Sequence, residues 1–150
     1  MRHVSDTERR ERLVIRHRLD PAARAGGALE VAKSLVVVHS TDPASVHLGV
    51  AARMANPSVP DIERALYEER TLARIHGMRR TLFVVPADLA PVVQASCTDA
   101  IAAQSRRRYA GLIESGGIAS DGLRWLRRAE EATLAALPDG EELTGAELSQ

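Results

Sequence analysis

Residues 72–86 read LARIHGMRRTLFVVP and mark a change from helical to β-prone sequence. Within this stretch, residues 81–85 form a continuous β-prone run that Pro86 stops, and Gly77 stands where the chain would have to reverse. The pattern predicts a β-hairpin that pairs residues 72–75 with residues 78–85. Because helical spacing dominates on both sides, the hairpin is expected to be a small β element in a mainly helical protein.

Helix signals precede the hairpin. A capping box at residues 5–8 predicts a first helix to about Arg18, with Leu13 and Val14 facing inward. The apolar residues that follow are again at helical spacing, and they predict a second helix that ends near His39.

Two further helix starts follow before the hairpin. Asp42 and Pro43 indicate the N-cap and first position of a third helix that runs to about Met54. Asp61 is predicted to open a short fourth helix. Three helices and then a hairpin are the order of a winged helix, which the fourth helix elaborates. We therefore predict a mainly α fold with a small β-hairpin, of the helix-turn-helix-like, winged-helix class, over residues 1–118.

The C-terminal part of the sequence has the signals of a separate unit. A helix is predicted from Asp121 to Leu137, and residues 138–140 (PDG) should end it. Residues 144–147 form a second capping box, which leaves only residues 148–150 for its helix. We interpret residues 119–150 as the start of a second winged-helix module that is truncated.

Charge is unevenly distributed along the 150 residues, although the formal net charge is zero. Residues 1–128 hold all 20 Lys and Arg residues but only 14 of the 20 acids, whereas residues 129–150 hold the other six acids. Lys33 is the single lysine beside 19 arginines, and arginine suits bidentate contacts with phosphate. Codon usage in a GC-rich genome is the alternative explanation of this bias.

Other classes of function find little support in the sequence. The one cysteine, Cys97, excludes an internal disulfide and fits a reducing cytoplasm. Five scattered histidines give no metal-ligand spacing, and no glycine-rich nucleotide-binding motif is present, so neither a metal nor another cofactor is predicted. Since no apolar run approaches the ~20 residues of a membrane span, we expect a cytoplasmic, nucleoid-associated protein without membrane contact.

Polar residues directly follow the apolar run at residues 35–38. His39 and Thr41 place a titratable imidazole and a hydroxyl two residues apart, next to the expected N-cap Asp42. Such a pair can perform acid–base chemistry, bind a phosphate or cap the following helix. The residues by themselves leave these three roles open.

Four stretches of the chain resemble a bacterial family of winged-helix DNA-binding-domain proteins, which includes alkylpurine and interstrand-crosslink DNA glycosylases. The stretches are residues 8–13 (ERRERL), 35–44 (LVVVHSTDPA), 65–70 (ALYEER) and 78–86 (MRRTLFVVP), the last followed by Asp88 and Leu89. The resemblance spans nearly the whole chain and corresponds to the N-terminal part of longer family members. It therefore implies further C-terminal modules, with tandem winged helices and a β-domain.

In the glycosylases of this family, a Gln-x-Gln or Gln-x-Asp motif stands where this chain has His39-Ser40-Thr41. The resemblance implies that His39 and Thr41 occupy the positions of a dyad that holds the hydrolytic water and steadies the sugar. The chain departs from that pattern, because a hydroxyl orients water but does not offset oxocarbenium charge as a carboxylate would. His39, Thr41 and the adjacent Asp42 are the candidate catalytic residues, and whether the protein is an enzyme stays open.

Exposed arginines are the candidate contacts to DNA, with a plain solvated surface as the alternative. The candidates lie on the first helix, on the hairpin and in a run of three arginines; they are Arg9, Arg10, Arg79, Arg80, Arg106 and Arg107. Trp125 and Tyr109 are expected to pack between helices, with base stacking as the alternative. Our leading interpretation is binding of double-stranded DNA through arginine–phosphate contacts. The alternatives are a DNA glycosylase that releases alkylated purines in DNA repair, and a non-catalytic fragment that binds a protein partner.

Overall fold

The computed structural model describes residues 3–137 and 143–147. The predicted helix end at residues 138–140 and the predicted last helix at residues 148–150 lie outside the described residues. The chain divides into two compact units, Met1–Asp99 and Ala100–Gln150. The predicted boundary near residue 118, between a winged-helix domain and a second module, stays a prediction.

The first unit contains most of the secondary structure. Its elements are, in chain order, α1 (Asp6–Arg16), α2 (Ala28–Leu35), β1 (Val38–His39), α3 (Pro43–Ala51), α4 (Val59–Glu63), β2 (Leu72–His76), β3 (Leu82–Pro86) and α5 (Ala90–Val93). Short π-helical segments, Arg64–Glu68 and Gln94–Thr98, continue α4 and α5. A 3₁₀ turn, Met78–Arg80, lies between β2 and β3.

The three strands form an antiparallel sheet in the order β1-β3-β2. The hairpin register pairs Leu72 with Pro86 at one end and His76 with Leu82 at the other. The mainly α fold with a small β-hairpin is therefore confirmed. From α2 onward, the order of helix, strand, two helices and hairpin is compatible with a winged helix.

Strand β1 corrects the prediction that the second helix ends near His39. Helix α2 ends at Leu35, and Val36 follows with a positive φ of 70°. Val38 and His39 then pair with Val84 and Phe83 of β3. Three successive valines explain the difference, because β-branched side chains are restricted in a helix and pack well on a pleated sheet.

The core of the first unit consists almost entirely of small aliphatic side chains. It brings together α2, α3, α4 and the sheet through Ala25, Ala28, Val31, Ala32, Val38, Val46, Val50, Met54, Ile62, Ala65, Leu72 and Val84. Helix α1 contributes no buried residue, and Leu13 and Val14 remain 43% and 39% exposed. The prediction that they face inward was wrong, since charged residues leave α1 only a narrow apolar stripe.

The second unit is built around α6 (Asp99–Ser115) and α7 (Gly122–Ala136). The helix predicted from Asp121 is present: Asp121 is the N-cap of α7, and its carboxylate accepts from the Arg124 backbone N–H at 2.9 Å. Ala110, Ile113 and Gly122 are the buried residues of these two helices. The Gly122 N–H donates to Glu114 Oε1 at 2.9 Å, which ties the start of α7 to α6.

The capping box predicted at residues 144–147 is also present. The Glu147 N–H donates to Thr144 Oγ1 at 3.4 Å, and the Thr144 N–H and hydroxyl donate to Glu147 Oε2 at 2.7 and 2.6 Å. The two donated hydrogen bonds favour the carboxylate and lower the pKa of Glu147.

Across the part of the chain that the structure describes, no helix has both the length and the apolar character needed to cross a membrane.

Candidate functional site

The segment after β1 places the His39 and Thr41 side chains next to each other. Along residues 38–41 the burial alternates, with Val38 and Ser40 buried and His39 and Thr41 exposed. This is the period of two of an extended strand, in which alternate side chains share a face. His39 Nε2 and Thr41 Oγ1 are consequently within hydrogen-bond distance, 3.2 Å apart.

Contacts from the sheet and from α3 hold this pair in place. The edge of the His39 ring packs on Phe83, with centroids 5.6 Å apart and an interplanar angle of 85°. The Ser45 hydroxyl donates to the carbonyls of His39 at 3.1 Å and of Asp42 at 2.5 Å. Arg74 Nη2 of β2 donates to the Ser40 carbonyl at 2.6 Å. The sequence interpretation missed these three positioning contacts.

Asp42 lies directly after the pair but is engaged elsewhere. Its Oδ1 accepts from the Ala44 N–H at 3.0 Å, and Pro43 follows at the first position of α3. The carboxylate therefore serves as the helix N-cap, the role expected from the Asp-Pro pattern.

The pair has the chemistry of a weak base coupled to a hydroxyl. When the proton is on Nδ1, the Thr41 hydroxyl donates to Nε2, and in the other tautomer Nε2 donates to the hydroxyl. Either arrangement leaves polar atoms at an exposed edge, where they can orient a water molecule. Within residues 3–137 and 143–147, no three His, Cys, Asp or Glu side chains are grouped so as to hold a metal ion.

Ser40, between the two exposed side chains, is fully buried, and its hydroxyl has no hydrogen-bond partner among the described residues. A buried hydroxyl without a partner is destabilising, so Ser40→Ala should leave the melting temperature unchanged or raise it. Ser45→Ala is the matched control, because its two hydrogen bonds are expected to stabilise the fold by about 1 kcal/mol. Thermal unfolding checks both variants, and a greater loss for Ser40→Ala than for Ser45→Ala would contradict the interpretation.

A shallow cavity of about 130 Å³ lies beside this segment. Its lining includes Pro43 and His47 of α3, Tyr67 of the π-helical segment after α4 and Arg74 of β2. The residues that line it come from distant parts of the sequence, and no motif signals them.

The hairpin turn presents Arg79 and Arg80 in an unusual backbone conformation. Both have positive φ angles, 55° and 59°, a region that costs a non-glycine residue about 1 kcal/mol. The turn is held by the Gly77 N–H to the Thr81 carbonyl at 2.9 Å and by His76 Nε2 on the Arg80 carbonyl at 2.9 Å. Neither guanidinium forms an ion pair with a described residue, and both residues are exposed.

The other candidate arginines differ in how they are engaged. Arg9 lies 3.5 Å from the Asp6 carboxylate, whereas Arg10 is exposed without an ion pair among the described residues. Arg106 Nε donates to Glu130 Oε1 at 3.0 Å, and this hydrogen bond and charge raise the pKa of Arg106. Arg107 is exposed and has no ion pair in the described ranges. Arg106 is therefore the candidate least available to a phosphate.

Comparison with known proteins gives one match. The family model described as DNA glycosylase AlkZ-like matches residues 32–150. No curated protein and no solved structure matches the chain. The matched region includes the His39–Thr41 pair, the hairpin and both helices of the second unit. Because the match covers well over half of its length, the chain belongs to the AlkZ-like DNA glycosylase family.

Proposed function

We propose that this protein binds double-stranded DNA through arginine–phosphate contacts, with the hairpin turn as a principal contact. The observation that carries the proposal is the pair of exposed guanidinium groups at Arg79 and Arg80, held in a strained turn without carboxylate partners among the described residues. Non-glycine residues with positive φ occur in tight hairpin turns and also cluster at functional sites. Membership of a family of DNA glycosylases supports DNA as the partner.

The charge of α4 disfavours entry of this helix into a groove, where it would read bases. In the winged-helix order, α4 and its π-helical continuation occupy the place of the recognition helix. They carry Asp61, Glu63 and Glu68, and the guanidinium of Arg64 is paired with Asp61 at 2.9 Å. Carboxylates on this helix would repel the phosphates that flank a groove. We therefore propose binding that tolerates many DNA sequences.

A mobility-shift experiment at low salt tests this proposal. Two duplexes of equal length and unrelated sequence should shift at protein concentrations within a few-fold of each other, because phosphate contacts carry no sequence information. Absence of a shift with either duplex would refute DNA binding. A shift with one duplex alone would refute sequence tolerance.

Removal of both hairpin charges should weaken binding. Arg79→Gln/Arg80→Gln is expected to reduce duplex affinity by about 10-fold and uniformly across sequences, since phosphate contacts are lost without any base contact. The matched control is Arg12→Gln/Arg64→Gln, which removes two charges that are already paired, with Glu8 at 2.5 Å and Asp61 at 2.9 Å. Fluorescence anisotropy measures both affinities. Equal losses in the two double variants would mean that net charge, rather than the hairpin, determines binding.

A second function is favoured by the 3.2 Å contact between His39 Nε2 and Thr41 Oγ1. We propose that this pair holds a water molecule for release of alkylated purine bases. The pair stands where the family resemblance places the glycosylase dyad, and it is exposed at the edge of the sheet, where a deformed duplex can reach it.

The chemistry is hydrolysis of the N-glycosidic bond. An N7-alkylated purine carries a positive charge, so it leaves with the bonding electrons without being protonated first. Water adds to the sugar carbon and gives up a proton, which the His39 imidazole can accept. Thr41 orients that water. Because Thr41 stands where some related glycosylases have a carboxylate, the positive sugar is stabilised mainly by the phosphates of DNA itself.

Base release is measured directly on an N7-alkylated duplex. Incubation with the protein and subsequent heating in alkali should give strand breaks at the alkylated purines, whereas an unmodified duplex should stay intact. If the sample with protein gave no more breaks than a sample without protein, this second function would be refuted. The proposal of DNA binding would not be affected.

A further inference from the structure

Trp125 is the only tryptophan of the chain, and it is partly exposed on α7 instead of being packed between helices. Trp125 is 43% exposed, and it lines an open cavity of about 300 Å³ within the second unit. Ala119, Ser120 and Asp121 form one side of this cavity, and Arg124 and Arg128 complete it. The cavity thus combines an aromatic face with two guanidinium groups.

The two arginines are free to bind an anion. Arg124 and Arg128 are four residues apart, which places them on the same face of a helix. Both are exposed, and neither forms an ion pair with any residue in the described ranges. Among the described residues that line the cavity, Asp121 is the only carboxylate, and it accepts from the Arg124 backbone N–H at 2.9 Å. The cavity therefore carries an excess of positive charge.

A neighbouring cavity of the same unit shows a different arrangement. Arg106 and Arg127 line it together with Glu130, and Glu130 accepts from Arg106 Nε at 3.0 Å. None of its described lining residues is aromatic, and a carboxylate lies among its guanidinium groups. The combination of an exposed indole and unpaired arginines is thus specific to the Trp125 cavity.

We propose that the Trp125 cavity binds an unpaired nucleotide of DNA. The base would stack on the indole, and the adjoining phosphates would contact Arg124 and Arg128. Every base has a π face, so stacking of this kind tolerates all sequences. A fully paired duplex keeps its bases stacked on each other and cannot offer one to the indole. This inference rests on the proposed function and deepens it, because it adds a site for single-stranded or unpaired segments of DNA.

The single tryptophan makes this site directly observable by fluorescence. Titration of the intact protein with oligodeoxythymidylate should quench the emission of Trp125 in a saturable manner. A blunt duplex of equal length, at concentrations that give a mobility shift, should cause little quenching. Absence of quenching by the single strand, or equal quenching by the paired duplex, would overturn the inference.

Charge variants separate this site from general attraction to the protein. Arg124→Gln/Arg128→Gln keeps the fluorophore and should weaken the quenching titration by about 10-fold. Arg108→Gln/Arg127→Gln removes the same charge from the same unit and should have a clearly smaller effect. Equal effects of the two double variants would also overturn the inference. Circular dichroism melting verifies that each variant is folded.

The experiment distinguishes failure of this site from failure of the proposed function. Duplex binding is read from the mobility shift, and the Trp125 site is read from quenching by the single strand. A duplex shift without quenching refutes the nucleotide site alone. Quenching without a duplex shift refutes the proposed duplex binding and supports the nucleotide site.

Discussion

His39→Ala is expected to lower the rate of base release from an N7-alkylated duplex by roughly 100-fold, the lower range of effects for loss of a positioned acid–base group. The physical reason is that His39 Nε2 and Thr41 Oγ1 lie side by side, 3.2 Å apart, and a water molecule bound beside them would lose its proton acceptor. Alkali-labile strand breaks measure the rate under single-turnover conditions. His39 is exposed, so the melting temperature should change little.

Two pairs of variants serve as matched controls. His39→Gln introduces the amide that the related glycosylases have at this position. An amide orients water but does not accept its proton, so the activity should lie between those of His39→Ala and the unaltered protein. Thr41→Val removes the hydroxyl with similar shape, whereas Thr41→Ser keeps it, so the loss should be confined to Thr41→Val. Breaks that form at the same rate in His39→Ala as in the unaltered protein would exclude the pair from catalysis.

Gly122→Ala is expected to destabilise the second unit by about 3 kcal/mol, at the upper end of the usual cost of overpacking. A Cβ at this position would clash with the Ala110 carbonyl oxygen, and backbone at such a contact cannot move aside as a flexible side chain would. The start of α7 would have to separate from α6, which would also strain the hydrogen bond from the Gly122 N–H to Glu114.

Gly111→Ala is the matched control for this prediction. Gly111 lies within α6, and a Cβ there meets no atom within 4 Å. That variant should be stabilised by about 0.5–1 kcal/mol, because alanine loses less conformational entropy in a helix. Denaturant unfolding followed by circular dichroism compares the two. If Gly122→Ala were as stable as the unaltered protein, the close packing of α6 and α7 at this point would be wrong.

Features determined by neighbouring residues were predictable from the sequence. Asp42 with Pro43 and Thr144 with Glu147 each form the expected cap, because a cap depends on residues two or three positions apart. The hairpin was predicted for a similar reason, since Gly77, the β-prone run and Pro86 lie close together in the sequence. Its second strand, however, starts at Leu82 rather than at residue 78, because residues 78–80 form the turn.

Features that depend on distant residues were not predictable. Strand β1 has only two residues and owes its existence to β3, whose Val84 and Phe83 lie more than forty positions away. The exposure of Leu13 and Val14 likewise depends on what α1 meets in space. Local propensity gives no information on such pairings, which tertiary contacts decide.

The candidate site was predictable only in part. The spacing of His39 and Thr41 places them on one face if the segment is a strand, but the sequence indicated a helix end there. The contact of Arg74 with the Ser40 carbonyl joins residues 34 positions apart, and the pairing of Arg106 with Glu130 spans 24 positions. Trp125 was expected to pack between helices, and its exposure is a tertiary property.

The salt dependence of duplex affinity tests the central claim most directly. Each phosphate contact should contribute about −0.9 to the slope of log K against log salt concentration. With Arg79 and Arg80 both in contact, the slope should be about −1.8 or steeper, and Arg79→Gln/Arg80→Gln should reduce its magnitude by about 1.8. Affinity would then fall steeply between low and physiological salt. A flat response, or a slope that the double variant leaves unchanged, would contradict binding through arginine–phosphate contacts at the hairpin.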